Sequence, residues 1–239
     1  MGKDRILWID TLKAIGMFFI VLGHFFPPYI SAWIYTFNVP LFFFVSGFLS
    51  KREDNWGLFW NKNVTGLIIP FLLLSVLVNM PNIIDNITDA RRMLYLLGGI
   101  TFGFHSMDGM HGCLNMWFVY CLMLVKILFQ CSSNNTRSLI FVTVACIMGF
   151  SVYHICDFHM KWAVSNVFYA FPYFALGYWF KQKDMVRRVV ANFRCWQQNI
   201  TITALSIVSA FVASYNGIAY TYEGGGRKIV GNLQFVLCC

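Results

Sequence analysis

Three side chains in the first apolar run, ILWIDTLKAIGMFFIVLGHFF, are of kinds that hydrocarbon does not accept without a reason: Asp10, Lys13 and His24. A charge at bilayer depth is costly unless it faces protein or water. Their types define the chemistry on offer. Imidazole titrates near neutrality and can take up or release a proton. A lysine ammonium attracts anions, and a nearby carboxylate can orient it. On a helix turning 100° per residue, Lys13 and His24 fall within roughly 20° of each other and about 16 Å apart along the axis. Asp10 falls close to the same line, so the spacing predicts a polar stripe facing inward. Ile15, Phe18, Phe19, Val21 and Leu22 occupy the other faces, while Gly16 and Gly23 allow a second helix to approach. From the residues alone two readings stay open. One is a stripe that does chemistry; the other is an Asp10–Lys13 pair near the membrane surface, with His24 reaching out at the far end.

The elements that must position these groups are apolar and helical. The second run ends in NVPLFFFVSGFLS, with Asn38 and Pro40 early and a small Ser46-Gly47 step near its end. Taken in order, the helix carrying Asp10, Lys13 and His24 and the helix NVPLFFFVSGF resemble the acyltransferase-3 family of integral membrane O-acyltransferases. Three further blocks are similar to that family. They are the basic stretch KREDNWGLFWNK leading into NVTGLIIPFLLLS, the start LNMWF, and the later FYAFPYFALGY. The likeness extends over residues 5–180. It departs at Asn63 and Gly66, where family members carry a pair of arginines and this chain keeps only Lys62.

The resemblance implies an all-α fold, a polytopic transmembrane helix bundle, and one membrane-embedded acyltransferase domain over residues 1–239. Members have more helices than the runs found here, which implies a chain short at its C-terminal end. The implied reaction moves an acyl group, acetyl in the simplest case, from cytoplasmic acetyl-CoA or another acyl-CoA to a hydroxyl of an extracytoplasmic saccharide or glycan. No permanently bound cofactor is implied. An alcohol attacks a thioester poorly while it keeps its proton, so a base is needed, and His24 is the residue placed for that role. Arg5, Lys13 and Lys62 offer positive charge to the phosphates of the donor, Asp10 orients Lys13, and Asn38 or Ser46 can donate to the developing oxyanion or contact the acceptor. The rival class is a non-catalytic membrane protein, either a small-molecule transporter or an inactive shortened relative. A transporter more often shows internal repeats with broken helices in matching positions, and no such repeat is present.

Composition places the chain in the membrane independently. Hydrophobic residues make up 58 %, charged residues 12 %, and mean hydropathy is +0.61, unlike an ordinary soluble domain. Its formal charge of +8 sits between apolar runs, where the positive-inside bias accounts for it better than nucleic-acid binding does. Apolar runs are predicted at Trp8–Phe26, Ala32–Leu49, Val64–Asn79, Met93–Phe104, Leu114–Phe129, Leu139–His154, Trp162–Phe180 and Ile200–Tyr215. That amounts to seven or eight hydrophobic helices. Treating Met93–Phe104 as non-spanning puts most Lys and Arg on the side of the amino terminus, and a cytoplasmic amino terminus in a cell membrane follows. The eight cysteines include no C-x-x-C pair, and no metal site is expected from them. His105, Asp108 and His111 in the loop Gly103–Cys113 show no recognised ligand spacing.

Overall fold

A computed structural model of the chain describes residues 7–26, 28–102, 117–132, 135–155 and 164–184. All regular structure among these residues is helical. The predicted run Ile200–Tyr215 lies outside them. The described residues fall into two compact units, one of residues 7–50 with 169–184 and one of 51–155 with 164–168.

The first unit holds α1 (Leu7–Phe25), α2 (Pro28–Leu49) and most of α9 (Val164–Gln182). Pro28 opens the second helix, because proline suits a first helical turn. Helix α2 therefore begins four residues earlier than hydropathy alone indicates. Pro40 and Pro172 stand inside α2 and α9. Each removes the amide donor that the preceding turn would use, a defect that membrane helices tolerate when neighbours supply partners.

Helices α2 and α9 pack at the closest distance that backbones allow. A Cβ at Gly47 would overlap the Phe174 carbonyl oxygen, and one at Gly177 would overlap the Phe44 carbonyl oxygen. The two glycines are thus reciprocal, each making room for the other helix's backbone. Between helices in lipid there is little hydrophobic driving force, so dispersion and Cα–H···O contacts at such small residues supply the attraction. Phe43, Phe171 and Phe174 are fully buried, and the Phe44 and Phe180 rings meet edge-on at 5.3 Å.

The second unit opens with α3 (Trp56–Asn63), a π-helical turn (Val64–Ile68) and α4 (Ile69–Val78) in one continuous run. Asn55 starts it by accepting from the Gly57 amide at 2.7 Å, the usual N-cap arrangement. This corrects the predicted start at Val64. The apolar helix begins eight residues sooner, inside the basic stretch KREDNWGLFWNK, with Asn55 as its cap. Pro70 explains the π turn: it cannot donate to Gly66, and its ring crowds that carbonyl, so the turn before it widens and Ile69 bonds to Val64 instead. Of the helices among the described residues, Trp56–Val78 is the one long and apolar enough to cross a bilayer; Phe37–Leu49, Phe118–Cys131 and Thr136–Val152 are apolar but shorter.

After the short α5 (Met80–Asp85), which the hydropathy pattern does not reveal, Asp89 caps α6 (Ala90–Phe102) by accepting from the amides of Arg91 and Arg92. Thirteen residues rise about 20 Å, less than the roughly 30 Å of a hydrocarbon core. Leu96 and Ile100 of α6 are buried against Phe71, Leu72, Ile83 and Tyr120. Tyr120 lies on α7 (Trp117–Cys131), which is followed by α8 (Thr136–Ile155).

Candidate functional site

The α1–α2 pair is an antiparallel hairpin whose register follows from ring contacts. Trp8 meets Phe48 at 5.3 Å, Phe19 meets Phe37 at 5.6 Å, and Gly16 lies against Phe42. Asn38 therefore stands near the level of Phe19, which precedes His24 by about 7 Å of axial rise. Ser46 stands near the level of Asp10, about 12 Å from Asn38 along α2. The hairpin thus divides these two polar groups between its opposite halves, with Asn38 nearer the His24 end. The His24 backbone belongs to the last turn of α1; its side chain, like Arg5, lies outside the described residues.

Along α1 the inward line is Ile9, Gly16 and Gly23, all buried. These are spaced by seven, so each sits two turns from the next on one side of the helix. Lys13 is half-buried at the margin of that line, whereas Asp10 is exposed. This corrects the expectation that Asp10 shares an inward stripe with Lys13. One step of 100° from the buried Ile9 carries Asp10 around to the outer side.

Asn38 is the most unusual polar group of the hairpin. It is 0 % exposed, and among the described residues neither its amide nitrogen nor its amide oxygen has a hydrogen-bond partner. An unsatisfied buried amide costs about 1–3 kcal/mol. A buried polar group left without a partner calls for a specific explanation. Ser46 has a different environment: it is half-buried, and its carbonyl accepts from the Ser50 hydroxyl at 2.7 Å.

The second unit gathers charge around the start of α3 and the end of α7. Lys62 is exposed and ion-paired with Glu53. Gln130 fastens the Glu53 backbone by donating to its carbonyl at 2.6 Å and accepting from its amide at 3.2 Å. Arg52 lies over the Phe129 ring at 4.3 Å. Its guanidinium donates to the Phe129 carbonyl at 2.7 Å, the Ser132 carbonyl, and the Ser132 hydroxyl at 2.8 Å. Carbonyls at the C-terminal end of a helix lack intrahelical donors and carry partial negative charge, so this cation closes α7.

Arg52→Lys keeps the charge but loses the planar fork and the stacking. It is expected to lower stability by about 1–3 kcal/mol, read as a fall of several degrees in Tm for the purified protein in detergent.

Beside this clamp, Lys126 of α7 donates to the Asn63 side-chain oxygen at 2.9 Å. Asn63 is buried and aimed by its own bond to the Phe59 carbonyl at 2.8 Å. The sequence pattern marks Lys126 only as a lysine within an apolar run and assigns it no role. Its meeting with Asn63 joins residues 63 positions apart, which periodicity along one helix does not reveal. The positive charge beside Asn63 thus comes from α7.

The described residues are all helical, and one of their helices is long and apolar enough to cross a bilayer. The sequence matches the acyltransferase-domain family over residues 6–238, and the chain belongs to that family of membrane acyltransferases. It is 24 % identical over 209 residues to the inner membrane protein YcfT of Escherichia coli (strain K12), an alignment covering 74 % of this chain and 57 % of that protein. The chain thus spans a little over half the length of this relative. No solved structure matches it.

Proposed function

We propose that the chain is a multi-pass membrane O-acyltransferase with a cytoplasmic amino terminus. It moves an acyl group, acetyl in the simplest case, from cytoplasmic acyl-CoA to a hydroxyl of an extracytoplasmic saccharide. Family membership supports the reaction class. The single structural observation that carries the reading further is Asn38, buried and unpaired on the helix that pairs with α1.

In this reading the neutral imidazole of His24 accepts the proton of the acceptor hydroxyl as its oxygen attacks the thioester carbonyl. The tetrahedral intermediate carries an oxyanion, and the Asn38 amide N–H donates to it. Collapse forms the ester and breaks the carbon–sulfur bond, and the imidazolium returns the proton to the departing thiolate. Lys13, Lys62 and Arg5 favour the anionic donor electrostatically, with Asp10 and Ser46 on the Lys13 half of the hairpin.

The test of the reaction is transfer of radiolabelled acetyl from acetyl-CoA into a surface-glycan fraction by membranes containing the chain, beside membranes lacking it. Label above background with the chain supports the assignment. Background label, with the chain at normal abundance and acceptors supplied, favours the non-catalytic reading, for which the absence of arginine at Asn63 and Gly66 speaks.

Asn38→Leu separates a catalytic from a structural role in the same assay. Removing an oxyanion donor lowers kcat by about 10²–10³. Replacing an unpaired buried amide by an apolar group of similar shape leaves stability unchanged or raises it. Loss of turnover together with an unchanged or higher Tm is the expected result; an unchanged kcat removes Asn38 from the mechanism.

A further inference from the structure

An oxyanion accounts for only half of Asn38. A side-chain amide offers N–H donors at its nitrogen and an acceptor at its oxygen, and among the described residues both Nδ2 and Oδ1 of Asn38 are buried without a partner. An oxyanion accepts from Nδ2 and has nothing to give to Oδ1. The oxygen still requires an N–H or O–H.

Backbone close at hand does not explain the arrangement. Asn63, Asn79 and Asn86 each donate Nδ2 to the carbonyl four residues earlier, at 2.8 Å. Asn38 makes no such bond to Ile34, so its amide is turned away from an acceptor that other asparagines of this chain use. It precedes by three and four residues Leu41 and Phe42, the side chains that lie against Gly16, and so stands on the side of α2 that faces α1. Its level, that of Phe19, is about 9 Å beyond Lys13 and about 7 Å short of His24 along α1.

We infer that Asn38 Oδ1 accepts a hydrogen bond from the amide N–H nearest the sulfur in the thiol arm of the acyl-CoA. The inference rests on the acyl-CoA reading proposed above and adds a group that recognises the arm rather than the acyl group. In that reading the phosphates lie towards Lys13 and the thioester carbon lies at His24, so the arm passes the level of Asn38. The amide nearest the sulfur carries the N–H closest to the reacting carbon. Asn38 then bridges the reacting group, with Nδ2 donating to the oxyanion and Oδ1 accepting from the arm, and both buried atoms are satisfied.

The experiment compares acetyl-CoA with a methylene analogue in which CH2 replaces that one N–H, leaving the phosphates and the thioester unchanged. Radiolabelled acetyl transfer is measured for the unmodified chain, Asn38→Leu and Asn38→Asp, the last of which keeps an acceptor oxygen at the same place. The unmodified chain is expected to favour acetyl-CoA over the analogue roughly tenfold to a hundredfold in kcat/KM, because the analogue leaves Oδ1 buried and unpaired. Asn38→Leu lowers both rates and brings the ratio close to one, while Asn38→Asp keeps the preference. The same ratio is read without turnover as Kd for coenzyme A and its methylene counterpart, bound to the full chain in phosphatidylcholine nanodiscs.

A purely structural role for Asn38 lowers both rates in the variants and leaves the ratio where it was, which overturns the inference. A ratio near one in the unmodified chain overturns it too, leaves the acyl-CoA reading intact, and is the outcome expected if a hydroxyl of the saccharide fills Oδ1 instead. An unmodified chain that neither transfers acetyl from acetyl-CoA nor binds coenzyme A overturns both the inference and the reading on which it rests.

Discussion

Replacing His24 by alanine is expected to abolish acyl transfer while leaving the amount of chain in the membrane near normal. A positioned general base contributes about 10²–10⁴ in rate. The check is the radiolabel transfer assay beside a quantitative blot of the membrane fraction. Loss of abundance in His24→Ala would assign His24 to packing, and a retained rate would exclude it as an essential base.

The largest expected effect on folding belongs to the α2–α9 contact. Gly47→Ala and Gly177→Ala each place a methyl group on a backbone carbonyl of the opposite helix. No side-chain rotation relieves that overlap, so the helices must separate and lose the close contacts that hold them in lipid. Each substitution is expected to cost about 1–3 kcal/mol or more, and the pair is expected to deplete folded protein in detergent, followed by size exclusion after heating. Gly98→Ala is the control. Nothing lies within 4 Å of a Cβ there, and alanine in a helix is favoured over glycine by about 0.5–1 kcal/mol. If all three variants behaved alike, the reciprocal glycine contact would not be what holds α2 to α9.

Much of this was legible in the chain itself. Apolar runs and their proline boundaries determined that the protein is helical, and the order of Asp10, Lys13 and His24 before NVPLFFFVSGF determined the family to which it belongs. These are local properties: a helix forms and ends according to residues within one or two turns, and a motif is a spacing. The start of the long helix at Trp56 was less visible, because its signal is one Asn cap beneath a charged and aromatic stretch.

Other features were decided only by tertiary structure. Gly47 and Gly177 are ordinary small residues until two helices cross. Asn38 reads as one of several polar candidates until burial leaves both its amide atoms unpaired. Which side of α1 faces inward was settled by packing, which buries Ile9, Gly16 and Gly23, with Gly16 against Phe42 of α2, and leaves Asp10 exposed. The contact between Lys126 and Asn63 likewise depends on how helices distant in sequence are brought side by side. The reason is common to all four: the cost of a polar group and the room for a methyl group are set by what lies across the gap, and no periodicity within a single helix records that.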